Sequence, residues 1–297
     1  MRRVRSAGAA AGGFALCGAL LSGCPAPGAP SEAPPGEVPA TLGGDRPAAF
    51  VVPAEHDGVT PLPLVLLLGG YDYLSADLDV WIGVRDRVDE LGFALVMPDG
   101  LVDSAGSPYW NATDTCCDFD GSGVDDAGYL RGLVAEAQDV VPVDGARVVV
   151  VGHSNGGFMG YRLACEEQAP VTALVSIAGS GWLDADDCVA ERPVSVLQVH
   201  GLDDDVMPFD GDGDAPGALT MLQRWAGRNG CGGALQAEGL RDYADDGVAD
   251  ETAVSSYGGC AGQDVELWAM EGTDHYPAFR PEFARDALGW ALGRPRE

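Results

Sequence analysis

Three short stretches of this 297-residue chain hold the residue types that acyl transfer needs: Gly152-His153-Ser154-Asn155-Gly156, Asp203-Asp204-Asp205 and Thr273-Asp274-His275. The first reads G-x-S-x-G. A serine hydroxyl is a weak nucleophile at neutral pH, so it requires a base beside it and a third group to orient that base. The motif follows the β-run Arg147–Val151 and precedes an apolar helical stretch. A sharp strand-to-helix turn there lifts the hydroxyl clear of the sheet, and glycines are needed where backbone crowds backbone. The first amides of the helix then face a developing oxyanion. In a chain with 43 glycines the pattern alone is weak. Its position between strand and helix, with partners following in order, gives it weight.

Only two histidines follow Ser154. His200 closes the strand Val194–Val199, and the acidic turn Asp203-Asp204-Asp205 comes directly after it. An orienting acid belongs on such a post-strand loop, so it lies in this turn, although composition does not choose among the three. His275 stands between the strand Val265–Met270 and the last helix and becomes the general base. His200 is then structural, His153 is the variable position of the turn, and His56 lies in an early loop. A second oxyanion donor should come from the loop after an early core strand. Leu68-Gly69-Gly70-Tyr71 supplies it, which pairs the amide of Tyr71 with that of Asn155; the plainer reading of Gly69-Gly70 is a flexible turn.

The elements that must hold these groups are legible in outline. Strands are expected at Ala48–Val52, Leu64–Leu68, Phe93–Met97, Arg147–Val151, Ala173–Ile177, Val194–Val199 and Val265–Met270. Several are unbroken apolar runs, as in strands buried on both faces. Helical periodicity lies between them, at Leu130, Leu133, Val134 and Ala137 behind Asp125-Asp126, and at Phe283, Ala287, Trp290 and Ala291 behind Pro281. This alternation predicts an α/β fold with a mostly parallel sheet covered by helices on both faces. The stretch Gly232–Gly259 reads as an irregular, acidic surface excursion. Asp118-Phe-Asp120 and Asp210-Gly-Asp212 lack the glutamate of a calcium loop, with Tyr129 and Met221 at its place, and read as solvated loops. Trp110 and Trp182 suit either a pocket wall or the core.

The N-terminus carries a different message. Arg2, Arg3 and Arg5 precede an apolar run from Ala7 to about Leu21, which ends in Leu21-Ser22-Gly23-Cys24. The junction resembles the lipobox of bacterial lipoproteins, and an ordinary cleaved signal or an uncleaved anchor is the plainer alternative. Three segments follow: a signal peptide at 1–23, a Pro/Ala/Gly-rich tether at 24–44 lipidated on Cys24, and one domain at 45–297. Removing the signal leaves Cys116, Cys117, Cys165, Cys188, Cys231 and Cys260, an even set that suggests disulfides in an exported chain. Cys231 and Cys260 are paired by their shared place beyond the core, while the other four stay unassigned, with a Cys116–Cys117 bond open. The net charge of −29 excludes a nucleic-acid partner, which would need a basic surface. It also excludes electrostatic docking on anionic lipid, so a membrane contact would run through the lipid anchor only.

Together, Phe93–Gly100 (FALVMPDG), Trp110-Asn111-Ala112 with Cys116-Cys117, Gly152–Phe158 (GHSNGGF), Val199–Pro208 (VHGLDDDVMP) and Gly272–His275 resemble one known group. These are the secreted polyhydroxybutyrate depolymerase-like and feruloyl esterase-like proteins of the α/β-hydrolase fold. The resemblance runs from about Asp45 to Leu292. It implies ester substrates, an acyl-enzyme and no metal or organic cofactor. Its H-G-x-x-D pattern selects Asp204 as the acid. The group usually has His-Gly where this chain has Gly69-Gly70; a main-chain donor survives that change. A non-catalytic, surface-anchored binding protein and a small serine peptidase are the rival readings.

Overall fold

The leucine and valine runs become strands that bury both of their faces. The structure, a computed structural model, describes residues 38–167 and 169–296. The signal peptide, Cys24 and most of the tether therefore lie outside the described residues. The first half comprises β1 (Thr41–Leu42), β2 (Ala48–Val51), β3 (Leu62–Leu68), α1 (Ser75–Ile82), α2 (Val88–Leu91), β4 (Ala94–Met97), β5 (Leu101–Val102) and β6 (Pro108–Tyr109). Next come α3 (Asp126–Val140), β7 (Val143–His153), α4 (Asn155–Ala164), β8 (Ala173–Ile177) and β9 (Ser195–Gly201). The chain ends with α5 (Ala218–Arg228), β10 (Leu235–Arg241), β11 (Thr252–Tyr257), β12 (Val265–Met270) and α6 (Pro281–Leu292).

Ten strands form one sheet in the order β1-β2-β4-β3-β7-β8-β9-β12-β11-β10. The six from β4 to β12 are parallel, and the flanking pairs are antiparallel. Side chains alternate across the sheet. Leu64, Leu66 and Leu68 of β3 belong to the apolar layer that includes the buried faces of α3, α4 and α5, while Val65 and Leu67 belong to the layer on the other side of the sheet with α1 and α6. A truncation such as Leu66→Ala, at a side chain 1% exposed, would cost about 2–5 kcal/mol. The N-cap of α3 is Asp125, whose carboxylate accepts the Gly128 amide at 2.7 Å, a contact worth about 1 kcal/mol.

Two regions differ from the sequence expectation. Thr41–Leu42 pairs with Ala48–Ala49, so the sheet begins inside the segment read as tether, and Gly43-Gly44 is a hairpin turn. The stretch Gly232–Gly259 is not irregular: it contains β10 and β11, an antiparallel ribbon that extends the sheet beyond β12. Every residue of β10 after Leu235 is exposed, so neither hydrophobic alternation nor an apolar run marks it. Three disulfides join Cys116 to Cys117, Cys165 to Cys188 and Cys231 to Cys260. The acidic loops close on themselves: Asp118 accepts Ser122 and Gly123 amides, and Asp212 accepts those of Asp214 and Ala215.

Candidate active site

Ser154, Asp204 and His275 each follow the carboxyl end of a parallel strand, β7, β9 and β12 respectively. Open α/β sheets place their sites at this edge. Ser154 adopts φ 52° and ψ −121°, a region that side chains other than glycine rarely occupy. Its amide bonds the Ile177 carbonyl at 2.8 Å, and its carbonyl accepts the Phe158 amide at 3.0 Å. These two bonds hold the strained residue between β8 and the first turn of α4. The flanking glycines answer to crowding. A Cβ on Gly152 would sit 2.3 Å from the Gly156 oxygen, and one on Gly156 would sit 2.1 Å from the Leu68 oxygen.

Asp204 and His275 meet. His275 Nδ1 lies 2.8 Å from Asp204 Oδ2, and the two residues are 2% and 5% exposed. The second carboxylate oxygen, Oδ1, accepts the amides of Met207 at 2.7 Å and Val206 at 3.0 Å. His200 stands 3.4 Å from the same carboxylate and bonds the Met207 carbonyl at 2.7 Å, so it braces the acid turn. Burial pushes the Asp204 carboxyl up, but the bonds from His200, His275 and the Met207 amide outweigh it and hold it well below the usual carboxylate range. Asp203 and Asp205 are exposed. A carboxylate acceptor keeps the His275 proton on Nδ1, which leaves Nε2 as a lone pair. That nitrogen is buried and makes no hydrogen bond among the described residues. Nucleophile and base often stand loosely apart until substrate is bound.

The main-chain amides of Tyr71 and Asn155 have no hydrogen-bond partner among the described residues. The Asn155 side chain, completely buried, clasps Trp110: its Oδ1 accepts the Trp110 amide at 2.7 Å and its Nδ2 donates to the Trp110 carbonyl at 3.0 Å. Nδ2 also reaches Cys116 Sγ at 3.5 Å, so the Cys116–Cys117 disulfide sits beside the start of α4. Trp110 is a core residue, and its indole N–H donates to the Gly69 carbonyl at 3.0 Å. Gly69 is confined as well: a Cβ there would meet the Tyr73 oxygen at 2.7 Å and the Leu74 carbonyl carbon at 2.8 Å. Backbone therefore fills the space that a histidine would need at this position. Trp182 is only partly buried and lines a cleft of about 330 Å³ with Asn111, Asp114 and Arg162, and neither Asp204 nor His275 is among the residues that line it.

Three contributors were not nominated from sequence: Tyr73, Trp81 and the side chain of Asn155. Trp81 Nε1 donates to the Pro277 carbonyl at 2.9 Å, and the Tyr73 hydroxyl bonds His153 Nδ1. No local motif announces either contact, since each spans 80 residues or more.

No family model matches the chain. Feruloyl esterase C of Emericella nidulans is 29% identical over 187 residues, which is 61% of this chain and 60% of that enzyme. Feruloyl esterase B of Piromyces equi is 26% identical over 136 residues, 42% of this chain and 24% of that protein. The match covers 60% or less of the length of the curated relatives. Among solved structures, the acetyl xylan esterase from Aspergillus awamori superposes with a TM-score of 0.61 at 12% identity, over 82% of this chain and 94% of that one. An S-formylglutathione hydrolase from Agrobacterium tumefaciens gives 0.53 at 16% identity, over 86% and 94%. The chain has the α/β-hydrolase fold, and the relatives it resembles in sequence are named as esterases.

Proposed function

We propose that this chain is an exported serine hydrolase that cleaves carboxylic esters through an acyl-enzyme on Ser154. The observation that carries the reading is the buried Asp204–His275 pair at 2.8 Å, formed at the strand ends beside a serine in a strained turn. His275 takes the Ser154 proton at Nε2 as Oγ attacks the ester carbonyl. Asp204 keeps the imidazole in the required tautomer and stabilises the imidazolium that forms. The amides of Asn155 and Tyr71 receive the oxyanion, where one donor is commonly worth about 10²–10³ in turnover. The alcohol leaves with the proton from Nε2, and water repeats the cycle on the acyl group. This chemistry needs no metal or organic cofactor.

The substrates proposed are hydroxyalkanoate oligomers, feruloyl esters or short acyl esters. A panel of p-nitrophenyl esters, methyl ferulate and 3-hydroxybutyrate oligomers, assayed on wild type and Ser154→Ala, tests this. Turnover of at least one ester that is lost in Ser154→Ala is expected. Equal turnover by both proteins would overturn it.

The proposal extends to the N-terminus, where 1–23 is the signal, Cys24 carries lipid and a tether leads to the catalytic domain. The Leu21-Ser22-Gly23-Cys24 junction and the disulfides support export. In a bacterial host the wild type should take up labelled palmitate and sediment with membranes. Cys24→Ala should do neither.

A further inference from the structure

We propose that His153, the residue before the nucleophile, is a positioning residue for His275; this rests on the reading of Ser154 and His275 given above. His153 ends β7, and its side chain is completely buried. Its Nε2 lies 2.8 Å from the main-chain oxygen of His275. A carbonyl can only accept, so Nε2 carries the ring proton and Nδ1 is a lone pair. The Tyr73 hydroxyl donates to that lone pair. Both nitrogens are thereby satisfied in one tautomer. Burial, followed by the proximity of the His275 imidazole, pushes the His153 imidazole down to about 3, which favours the neutral ring.

The contact links two loops that are remote in sequence. Tyr73 belongs to the loop of the Tyr71 amide, and a Cβ on Gly70 would lie 2.5 Å from the Tyr73 ring, so ring and loop are packed without slack. On the other side, the main chain of the His275 loop receives two side-chain donors from outside it, His153 on the His275 carbonyl and Trp81 on the Pro277 carbonyl, besides the amides of Asp203 on the Thr273 carbonyl and Asp245 on the Ala278 carbonyl. The rings close the arrangement, with His153 4.7 Å from His275, 4.9 Å from Trp81 and 5.2 Å from Tyr276 between centroids. The general base is thus fixed at its side chain by Asp204 and at its own carbonyl by His153. Tyr73 conveys the position of the oxyanion loop to it.

The donor on the His275 carbonyl is the tested element. Glutamine can present an N–H where Nε2 stands, whereas leucine fills similar space without a donor. His153→Leu is expected to lower kcat on p-nitrophenyl butyrate about thirtyfold or more with KM within about threefold, since small misplacements of a reacting group are that costly. His153→Gln should return to within about fivefold of wild type. A readout free of turnover accompanies it: the downfield proton resonance of His275 Nδ1–H, assigned as the signal that Asp204→Asn removes. It should persist in His153→Gln and shift or vanish in His153→Leu. Should His153→Leu fail to fold by thermal melting, Tyr73→Phe replaces it and should lower kcat about threefold or more. A folded His153→Leu with kcat within twofold of wild type and an unmoved resonance would overturn the proposal. So would a His153→Gln as impaired as His153→Leu. Loss of the broader reading shows differently, as undiminished turnover in Ser154→Ala.

Discussion

Strands β7, β9 and β12 and the ribbon β10–β11 belong to one sheet, yet they are built on opposite terms. The first three are buried along most of their carboxyl-terminal halves and lead into the turns that carry Ser154, Asp204 and His275. The ribbon is solvated along β10, carries a bulge between Ala237 and Gly239, and has Cys231 and Cys260 joined across its open end. A strand buried on both faces has one register that keeps its apolar side chains dry, so the loop at its end is aimed. An exposed strand has no such constraint, and here a covalent bond closes its base. Function should therefore be sensitive at the parallel strand ends, and only stability should be sensitive in the ribbon.

The sharpest break would come at Ser154. Ser154→Ala should lose about 10⁴-fold or more in ester turnover at unchanged melting temperature, as removal of a triad nucleophile does. Steady-state assay with calorimetry checks both. Asp204→Asn should follow, with a loss of at least about a hundredfold, because the amide removes the charge that stabilises the imidazolium and permits the wrong tautomer. A loss there but not in the ribbon would uphold the contrast.

Acid sensitivity should also belong to the strand ends. His153 is held near 3 in the fold against 6.5 for the free side chain, so between those values the unfolded chain binds the extra proton. Stability from this group must then fall as pH drops below 6.5, by up to about 1.4 kcal/mol per pH unit. Asp204 acts in the same direction lower down: its depressed carboxyl contributes stability above the ordinary carboxylate range, lost as pH falls through it. Urea melts at several pH values should show a shallower dependence in His153→Gln than in wild type.

In the ribbon, Cys231→Ser with Cys260→Ser should cost roughly 3.5 kcal/mol, the chain-entropy value for a loop of this size. The kcat of the folded fraction should stay unchanged. Chemical denaturation beside activity separates the two effects. The smallest effects are expected one residue away from Asp204. Asp203→Asn and Asp205→Asn, both on exposed side chains, should stay within about tenfold of wild type in kcat.

What the sequence by itself determined was whatever depends on near neighbours in the chain. The apolar runs of β3, β7 and β8 announced buried strands, and G-x-S-x-G between strand and helix announced the strained turn at Ser154. Asp125 and Pro281 marked helix starts because capping is settled within four residues. The choice of Asp204 from three adjacent acids needed a family pattern, and burial of Asp204 between exposed neighbours is the tertiary counterpart of that choice. Tertiary structure alone decided the rest. The ribbon escaped notice because solvent-facing strands carry no hydrophobic period. Thr41–Leu42 escaped because two residues are too few to show one. The bonds of His153 to Tyr73 and His275, and of Asn155 to Trp110, join residues 80, 122 and 45 positions apart. A hydrogen bond across such a distance depends on where the sheet order places two loops, and no residue type or spacing along the chain encodes that separately from the fold.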